Sequence, residues 1–439
     1  MKNKYLSIFS TLLILFIIFF ALNCSEILAS NKSTLFAGAV KVNITPEVPI
    51  PMSGYGGRKG PFKGVNDDIF IRVIAFSDGE SKAAIIAADL IVIKTSYWEE
   101  VTKRLNQEIG IPRENILLCA THTHGGPSPA YRYKSPSTEV IAYTNEMTEK
   151  LITAVKEAVT SLKPAKIGAG IGECKLNINR RARRPDGTIR IGRNFDGPVD
   201  HEVAVVRIDD MSDNPIAVFI NWPCHGTITS GRNYMITGEW PGATARFIEK
   251  QFGNNTIAQV TAGASADINP LFMENMENID AFGPRGEVEA TGIVLGKEVQ
   301  RVAERIKTSS KGEIAAIQRV VTLPGKEELT PVRNNEQITT DLPKGDISSP
   351  VIEIRLSVLK IGQIVFTAVS GEVMNEIGSK TKGLSPYKYT FMITNCNGSS
   401  GYLVTDEAYE EGGYEVESTR VKSGAEKAII ENLLEMINE

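Results

Sequence analysis

Short apolar runs alternate with segments of helical periodicity along the chain, and this alternation restricts the fold more than any other feature of the sequence. The strand-like runs are residues 83–93, 116–120, 203–208, 216–222, 257–260, 351–359 and 363–369. The segments with apolar residues at helical spacing are residues 98–109, 141–162, 241–252, 293–306 and 425–437. Strands that alternate with helices are typical of layered α/β domains. The pattern therefore predicts an α/β fold with a mixed β-sheet core and flanking helices.

The first 30 residues differ in character from the rest of the chain. Lys2 and Lys4 precede an apolar run at residues 5–22. This order predicts a secretory signal peptide. An uncleaved membrane anchor is the alternative, because the run approaches the roughly 20 residues that span a bilayer. Residues 31–439 are then expected to form a single domain that is secreted or extracytoplasmic, either periplasmic or at the cell surface.

Charge excludes one class of partner. The chain has a net charge of −4 and contains neither a basic block nor zinc-finger spacing, so nucleic acid is not expected as a partner. The polar segment at residues 326–350 carries three prolines and is predicted to be a linker or surface loop. Association with a membrane surface and the oligomeric state are left open.

The cysteines carry no metal-binding or redox spacing. They are Cys24, Cys119, Cys174, Cys224 and Cys396. Export would permit disulfides, but a chain of this length can bury enough surface to fold without them. Two of the cysteines adjoin histidine motifs, and we interpret them as small buried side chains rather than catalytic thiols.

Imidazole is scarce in this chain, and its placement predicts a metal site. His122 and His124 follow the apolar run ILLCA at residues 116–120, and His225 follows another strand-like run. Two histidines spaced by two at a strand end should share one face, because the strand period is two. Ligands gather at the carboxyl ends of strands in α/β sheets. The fourth histidine, His201, precedes a strand and is predicted to be structural.

A zinc hydrolase normally takes three or four nitrogen and oxygen ligands, so a carboxylate ligand is expected as well. Glu372 follows an apolar strand and a glycine, so it is a candidate ligand or an ordinary acid at a helix start. The loop TAGASADINP at residues 261–270 ends another strand and carries Asp267 and Asn269. It is either part of the site or an Asx-rich turn. The segment NGSSGY at residues 397–402 has the same character.

Many motifs, in this order, resemble the catalytic domain of the neutral, non-lysosomal ceramidases. They are FAGA at 36–39, ITP at 44–46, MSGYG at 52–56, THTHGGP at 121–127, NRR at 179–181, GPVD at 197–200, CH at 224–225, GY at 401–402 and YE at 414–415. The resemblance covers nearly the whole chain beyond the leader. It implies the ceramidase catalytic-domain fold, a hydrolase and a place in sphingolipid metabolism.

The resemblance also implies a set of site residues. One Zn²⁺ would be bound by His122, His225, Glu372 and Tyr402, the last as a phenolate. His124 and Tyr414 would face the scissile carbonyl and stabilise its oxyanion.

The sequence departs from the family pattern in two places. Ceramidases carry Gly-Asp-x-Ser-Pro-Asn, whose serine is the proposed nucleophile, whereas this chain has ADINPL at residues 266–271. Asn269 stands in the serine's place, and Ser265 lies out of register with it. Members also continue into a C-terminal β-sandwich domain, before which this sequence ends.

These departures favour hydrolysis by zinc-activated water. Asp267 or Glu239 is the candidate base, and Asn269 would donate a hydrogen bond worth roughly 3–4 kcal/mol to the developing charge. The predicted reaction is cleavage of an amide or ester bond, including a lactone, in a small-molecule or lipid substrate. Ceramide is one candidate.

Two other interpretations remain open at this stage. A binuclear amidohydrolase barrel would use the paired histidines with His201, His225 and Asp267. A non-catalytic family member would keep the metal while binding a lipid or glycan. The missing serine is the reason to consider this interpretation.

Overall fold

The computed structural model describes residues 34–253, 255–272, 285–326 and 351–439. The predicted leader at residues 1–30 lies outside these ranges, as does nearly all of the predicted linker at residues 326–350. Within the described ranges, no helix combines the length and the apolar character that crossing a bilayer requires.

The largest element is an eight-stranded mixed sheet. In spatial order its strands are β12 (Ile257–Ala262), β10 (Pro215–Trp222), β9 (Glu202–Asp210), β6 (Lys163–Glu173), β1 (Phe36–Asn43), β3 (Phe70–Ser77), β4 (Lys82–Ala88) and β5 (Ile116–Ala120). The pairs at its two edges, β10 with β12 and β4 with β5, are parallel, and the pairs between them are antiparallel. The predicted mixed sheet is confirmed. A barrel of eight parallel strands is wrong for this chain.

A second mixed sheet has four strands. They are β14 (Ile314–Pro324), β15 (Val351–Ile361), β16 (Ile364–Val369) and β18 (Tyr389–Ile393). The predicted hairpin of β15 and β16 is confirmed, and it turns at Gly362, whose φ of 58° is in the left-handed region that glycine adopts readily. Phe219 of the first sheet meets Phe366 of the second edge to face, with ring centroids 5.1 Å apart. The two sheets therefore share an apolar core.

Small strand groups complete the sheets. β13 (Ile268–Pro270), β7 (Asn177–Arg183) and β8 (Ile189–Asn194) form a three-stranded sheet, and two parallel pairs join β11 (Met235–Ile236) to β2 (Gly64–Val65) and β17 (Glu372–Val373) to β19 (Tyr402–Leu403).

The described helices pack on these sheets. They are α1 (Thr95–Ile109), α2 (Thr138–Thr160), α3 (Glu239–Phe252), α4 (Arg285–Ala303), α5 (Asn375–Leu384), α6 (Asp406–Glu411), α7 (Tyr414–Ser418) and α8 (Ala425–Asn438), with 3-10 turns at Arg113–Asn115 and Ala130–Arg132. Every helix predicted from periodicity is present, although α3 begins two residues before Pro241. Ile141 was expected on the buried face of α2 and is 42% exposed, because its neighbour Val140 takes the inward position. Residues 90–93, expected to extend a strand, lie beyond the end of β4.

Candidate metal centre

The two histidine turns lie side by side at the end of the large sheet. A parallel bridge pairs Thr123 with Gly226, and the backbone N–H of His124 donates to the carbonyl of Gly226 over 2.9 Å. His122 has a φ of 62°. Such left-handed backbone is costly for a residue with a side chain and is typical of functional sites. The rings of the paired histidines therefore lie close together because of this turn, and the expectation that strand alternation would orient them is wrong.

Three imidazole rings meet beside these turns. The ring centroids of His122 and His225 are 4.7 Å apart, those of His122 and His124 are 5.1 Å apart, and those of His124 and His225 are 5.7 Å apart. One nitrogen of each ring lies within 4.8 Å of a nitrogen of the others. The ring of His124 is held by Tyr55, 4.9 Å away, and by Gly54, where a Cβ atom would come within 2.7 Å of it.

Glu372 places a carboxylate oxygen between two of these rings. Its Oε2 atom lies 3.3 Å from Nε2 of His122 and 3.3 Å from Nε2 of His225. Strand β17 begins at Glu372 and pairs in parallel with β19, where Tyr402 is its direct partner. The four residues predicted as zinc ligands are thus gathered from both sheets.

Hydrogen bonds to backbone carbonyls orient the two histidines. Nδ1 of His122 lies 2.7 Å from the carbonyl of Ile91, and Nδ1 of His225 lies 2.7 Å from the carbonyl of Ser265. Each Nδ1 therefore carries the proton, which leaves each Nε2 as an acceptor; Nε2 of His225 already lies 3.1 Å from the donor Nη1 of Arg180. Metal-ligating histidines usually donate their other ring N–H in this way.

These atoms have the properties that a divalent cation requires. Nε2 of His122, Oε2 of Glu372 and both ring nitrogens of His124 are buried without a hydrogen-bond partner in the described part of the chain. Leaving buried polar atoms unsatisfied is costly. A cation bound between the imidazoles and the carboxylate would satisfy two of them. The donor set, two imidazoles with one carboxylate, fits Zn²⁺.

The protonation states favour the same ligand set. Burial, followed by the nearby Arg180 guanidinium, lowers the pKa of His225 to about 4. Burial and the other two histidines lower the pKa of His124 well below its usual value. Burial alone would raise the pKa of Glu372, but His122 and His225 hold it well below its ordinary value. A neutral His225 and an ionised Glu372 are the forms in which these two side chains bind a metal ion.

Two tyrosines border the cluster. The Tyr402 and Tyr414 rings pack edge to face with centroids 5.6 Å apart. Burial and the charge of Glu372 raise the pKa of Tyr402 well above its usual value. Its hydroxyl is therefore a phenol in the metal-free protein, and binding as a phenolate would require loss of a proton to the metal's charge. Tyr414 is 38% exposed.

Arg180 is the buried residue that links the site together, and sequence reasoning gave it no role. Its Nε donates to Oε1 of Glu415 over 2.7 Å, and its Nη2 donates to the Tyr402 hydroxyl over 3.3 Å. Its Nη1 lies 3.1 Å from Nε2 of His225 and 3.3 Å from Oδ1 of Asn269. The signal was present in the polar strand NINRRAR at residues 177–183, which has few apolar residues for a buried strand.

A second arginine strengthens this connection. Arg181 donates to the other oxygen of Glu415 over 3.0 Å and to Glu411 over 3.0 Å. Glu415 is 1% exposed. The two guanidinium groups therefore fix α7, and with it Tyr414, against strand β7.

The loop at residues 261–270 supports His225. Ile268 accepts a hydrogen bond from the backbone N–H of His225 over 3.0 Å. Asn269 is buried and faces Arg180, which places it beside the cluster. Asp267 accepts from Asn179 over 3.0 Å and from the backbone N–H of Asn375 over 2.9 Å. No hydrogen bond joins Asp267 to the three histidines in the described residues, so its catalytic role stays a prediction.

Glu239 stabilises the turn that follows His225. Its carboxylate accepts hydrogen bonds from the backbone N–H of Ile228, over 3.1 Å, and from the N–H and hydroxyl of Thr229, each over 2.6 Å. Burial raises the pKa of Glu239 to about 7. These bonds hold the turn in place, and a role of Glu239 as the base, like that of Asp267, stays a prediction.

His201 lies apart from the cluster. Its Nδ1 atom is 2.6 Å from Oδ1 of Asn177, and it is not among the residues grouped around a shared metal position in the described chain. This placement agrees with the structural role expected of it. It also removes a ligand that the binuclear amidohydrolase interpretation requires.

Comparison of sequences finds relatives of this chain. The family model for neutral/alkaline non-lysosomal ceramidase, N-terminal, matches residues 36–282, which is more than half of the chain. Neutral ceramidase A of Dictyostelium discoideum is 27% identical over 266 residues, which are 57% of this chain and 37% of that protein. Neutral ceramidase of Mycobacterium tuberculosis is 27% identical over 214 residues, which are 46% and 33% of the two chains. The chain thus spans about a third of the length of the curated relatives it matches.

Comparison of structures shows the fold. The crystal structure of neutral ceramidase from Pseudomonas aeruginosa matches with a TM-score of 0.74 at 18% identity, covering 92% of this chain and 74% of that one. A ceramidase complexed with C2 matches with a TM-score of 0.73 at 16% identity, covering 92% and 75%. The predicted ceramidase-like α/β fold is confirmed.

Proposed function

Since the chain belongs to the neutral/alkaline non-lysosomal ceramidase family, we propose that it is an exported zinc-dependent hydrolase of an amide or ester bond, including a lactone. The observation that carries this proposal is the position of Glu372 Oε2, 3.3 Å from a ring nitrogen of both His122 and His225. One Zn²⁺ per chain would be held by these three residues and Tyr402. Zinc bound there would supply an activated water and a Lewis acid for the carbonyl.

A set of three histidines is the competing assignment for the metal, since His124 lies close to the other two rings. We favour Glu372 because its oxygen is buried, ionised and equidistant from both oriented nitrogens. His124 is then free to contact the substrate. Its two ring nitrogens have no hydrogen-bond partner in the described structure.

Four residues around the proposed zinc site would bind and orient the substrate and the water. His124 and Tyr414 would donate hydrogen bonds to the substrate oxygen as negative charge develops. Arg180 positions Tyr402 and Asn269 around the cluster through its two terminal nitrogens. Asn269 would orient the attacking water or the substrate, because a carboxamide cannot form an acyl intermediate.

The base that accepts the proton of the attacking water is proposed to be Asp267. Burial raises its pKa to about 6, which is closer to neutrality than an ordinary aspartate and suits a base near pH 7. Its hydrogen bonds to Asn179 and Asn375 would keep the carboxylate in a fixed orientation.

We propose that residues 31–439 act as one catalytic domain. The site supports this because His122 and His225 come from the large sheet while Glu372 and Tyr402 follow the four-stranded sheet. The leader at residues 1–30 would direct the chain out of the cytoplasm, leaving it secreted or periplasmic after cleavage, or anchored at the cell surface otherwise. The N-terminal residue of the exported protein, read by mass spectrometry, distinguishes these outcomes.

The substrate is proposed to be a lipid or a small amphiphilic molecule, with ceramide as the first candidate. A non-catalytic member that binds lipid or glycan is the alternative, favoured only by Asn269 at the position of the family's serine. The test is hydrolysis by purified zinc-loaded protein of ceramide, simple esters, lactones and N-acyl amides. Turnover of any of these that is lost with zinc supports the proposal, and inertness towards all of them supports the alternative.

A further inference from the structure

Two buried cysteines lie opposite each other where the two sheets meet. Cys119 of β5 and Cys396, which follows β18, are partners in an isolated antiparallel bridge between the two sheets. Both are fully buried, and both are thiols in the structure. Nothing in the proposed hydrolysis uses either thiol.

The backbone hydrogen bonds around this pair determine its geometry. The N–H of Asn397 donates to the carbonyl of Leu118 over 2.8 Å, and the N–H of Ala120 donates to that of Asn395 over 3.1 Å. These bonds flank the cysteines on both sides, so Cys119 and Cys396 form a non-hydrogen-bonded pair. In such pairs the Cα atoms are about 4.5 Å apart and the side chains approach most closely. That separation lies within the roughly 4.4–6.8 Å range of disulfides.

From this geometry we propose that Cys119 and Cys396 form a structural disulfide in the exported protein. The bond joins the strand that leads to His122 with the segment that supports Glu372. Cys396 donates its backbone N–H to Val369 over 3.1 Å, and Asn395 donates to Gly371, the residue before Glu372, over 3.0 Å. The disulfide would therefore fix the distance between the two halves of the metal centre.

The chemistry is a thiol–disulfide exchange. Two protein thiols react with one disulfide of a low-molecular-weight thiol, such as glutathione disulfide, to give the protein disulfide and two molecules of the reduced thiol. Two electrons and two protons pass from the cysteines to the reagent. Because both side chains are buried, exchange takes place while the chain folds, and the finished bond is shielded from reductants.

The disulfide rests on the proposed function only in that export would bring the chain into an oxidising compartment, where disulfides persist. The test is therefore done in vitro on the complete chain. Denatured, reduced protein is refolded in a mixture of reduced and oxidised glutathione, remaining thiols are alkylated, and the unreduced digest is examined by mass spectrometry. A peptide pair that joins Cys119 to Cys396 is expected. Alkylation of both residues in the refolded protein would overturn the proposal.

A second readout uses variants. Cys396→Ser should lower the melting temperature of the oxidised protein by on the order of 5 °C, because the bond closes a very long loop of the unfolded chain. Cys174→Ser, at another buried cysteine, is the matched control and should keep both the linked peptide and the oxidation-dependent part of the melting temperature. An equal melting temperature for oxidised and reduced wild-type protein would contradict a stabilising bond.

The effect on the metal centre is a separate measurement. Oxidised protein is expected to lose zinc to a chelator about tenfold more slowly than reduced or Cys396→Ser protein. If the linked peptide is found but zinc never binds, the disulfide stands and the proposed function fails. If zinc binds but the peptide is absent, only the disulfide is wrong.

Discussion

The Nε2 atom of His225 lies 3.3 Å from the Oε2 atom of Glu372, although His225 follows a strand of the large sheet and Glu372 follows a strand of the four-stranded sheet. Neither sheet alone contains the pair. The candidate metal centre therefore forms only once the two sheets have packed together. Events that loosen their shared core should release the metal before the chain unfolds completely.

Replacement of His124 separates the two candidate ligand sets. We expect His124→Asn to keep one zinc per chain while kcat falls by about 10²–10³, the range for loss of an oxyanion donor. His201→Asn is the matched control and should keep both metal and activity, because His201 lies outside the cluster. Metal content and steady-state kinetics are measured on the same samples. Loss of zinc from His124→Asn would instead establish the three-histidine set.

Arg180 should not be replaceable by lysine. Its guanidinium contacts Glu415, His225, Asn269 and Tyr402 at once, and a single ammonium group cannot match that planar arrangement. We expect Arg180→Lys to lower kcat/KM by roughly 10- to 100-fold, the equivalent of one or two charge-assisted hydrogen bonds. Arg183→Lys, on the same strand but exposed, provides the control and should stay close to wild type. Equal activity of the two variants would show that Arg180 is not needed to position the site.

Asn269 in place of the family's serine predicts that no acyl intermediate forms. Direct attack by water predicts linear product formation from the first turnover with a chromogenic ester, and about a 100-fold loss of kcat in Asn269→Ala. Asn214→Ala, at an exposed turn, is the control. An initial burst of product in the wild-type protein would reveal a covalent intermediate. Ser265 would then be the candidate nucleophile.

The raised pKa of Glu239 makes a prediction about stability and pH. Its folded pKa of about 7 exceeds the ordinary value of 4.5, so the folded state binds the proton more tightly than the unfolded state. The stability that this tighter proton binding contributes is fully present below about pH 4.5 and is lost as the pH rises through 7. Urea unfolding of metal-free wild type and Glu239→Gln at pH 5 and pH 8 measures it. Between pH 5 and pH 8, the free energy of unfolding of the variant should rise by about 2–3 kcal/mol relative to that of wild type. Parallel pH profiles of the two proteins would contradict the raised pKa of Glu239.

The sequence was most informative where the pattern is local. Strands β5, β10 and β16 are short apolar runs with clear ends, and the helices show regular periodicity, so their existence could be predicted. The positions of His122 and His225 at strand ends followed from the same pattern. Residues 90–93 were wrongly predicted as strand, because they are buried by packing beyond the end of β4.

Long-range contacts account for what local pattern missed. The φ of His122, the parallel pairing of Glu372 with Tyr402, and the reach of Arg180 across the site each depend on segments far apart in the sequence. Cys119 and Cys396 looked like unrelated small residues until the bridge between the sheets placed them opposite each other. Such relationships require the fold.

The most direct test of the central claim is the zinc content of purified wild-type protein, measured beside Glu372→Ala. Glu353→Ala, at an exposed glutamate of the neighbouring strand β15, provides the matched control. The account predicts one zinc per chain in wild type and in the control, and loss of zinc together with all hydrolysis in Glu372→Ala. Two metal ions per chain, or zinc retained without Glu372, would contradict the proposed metal centre.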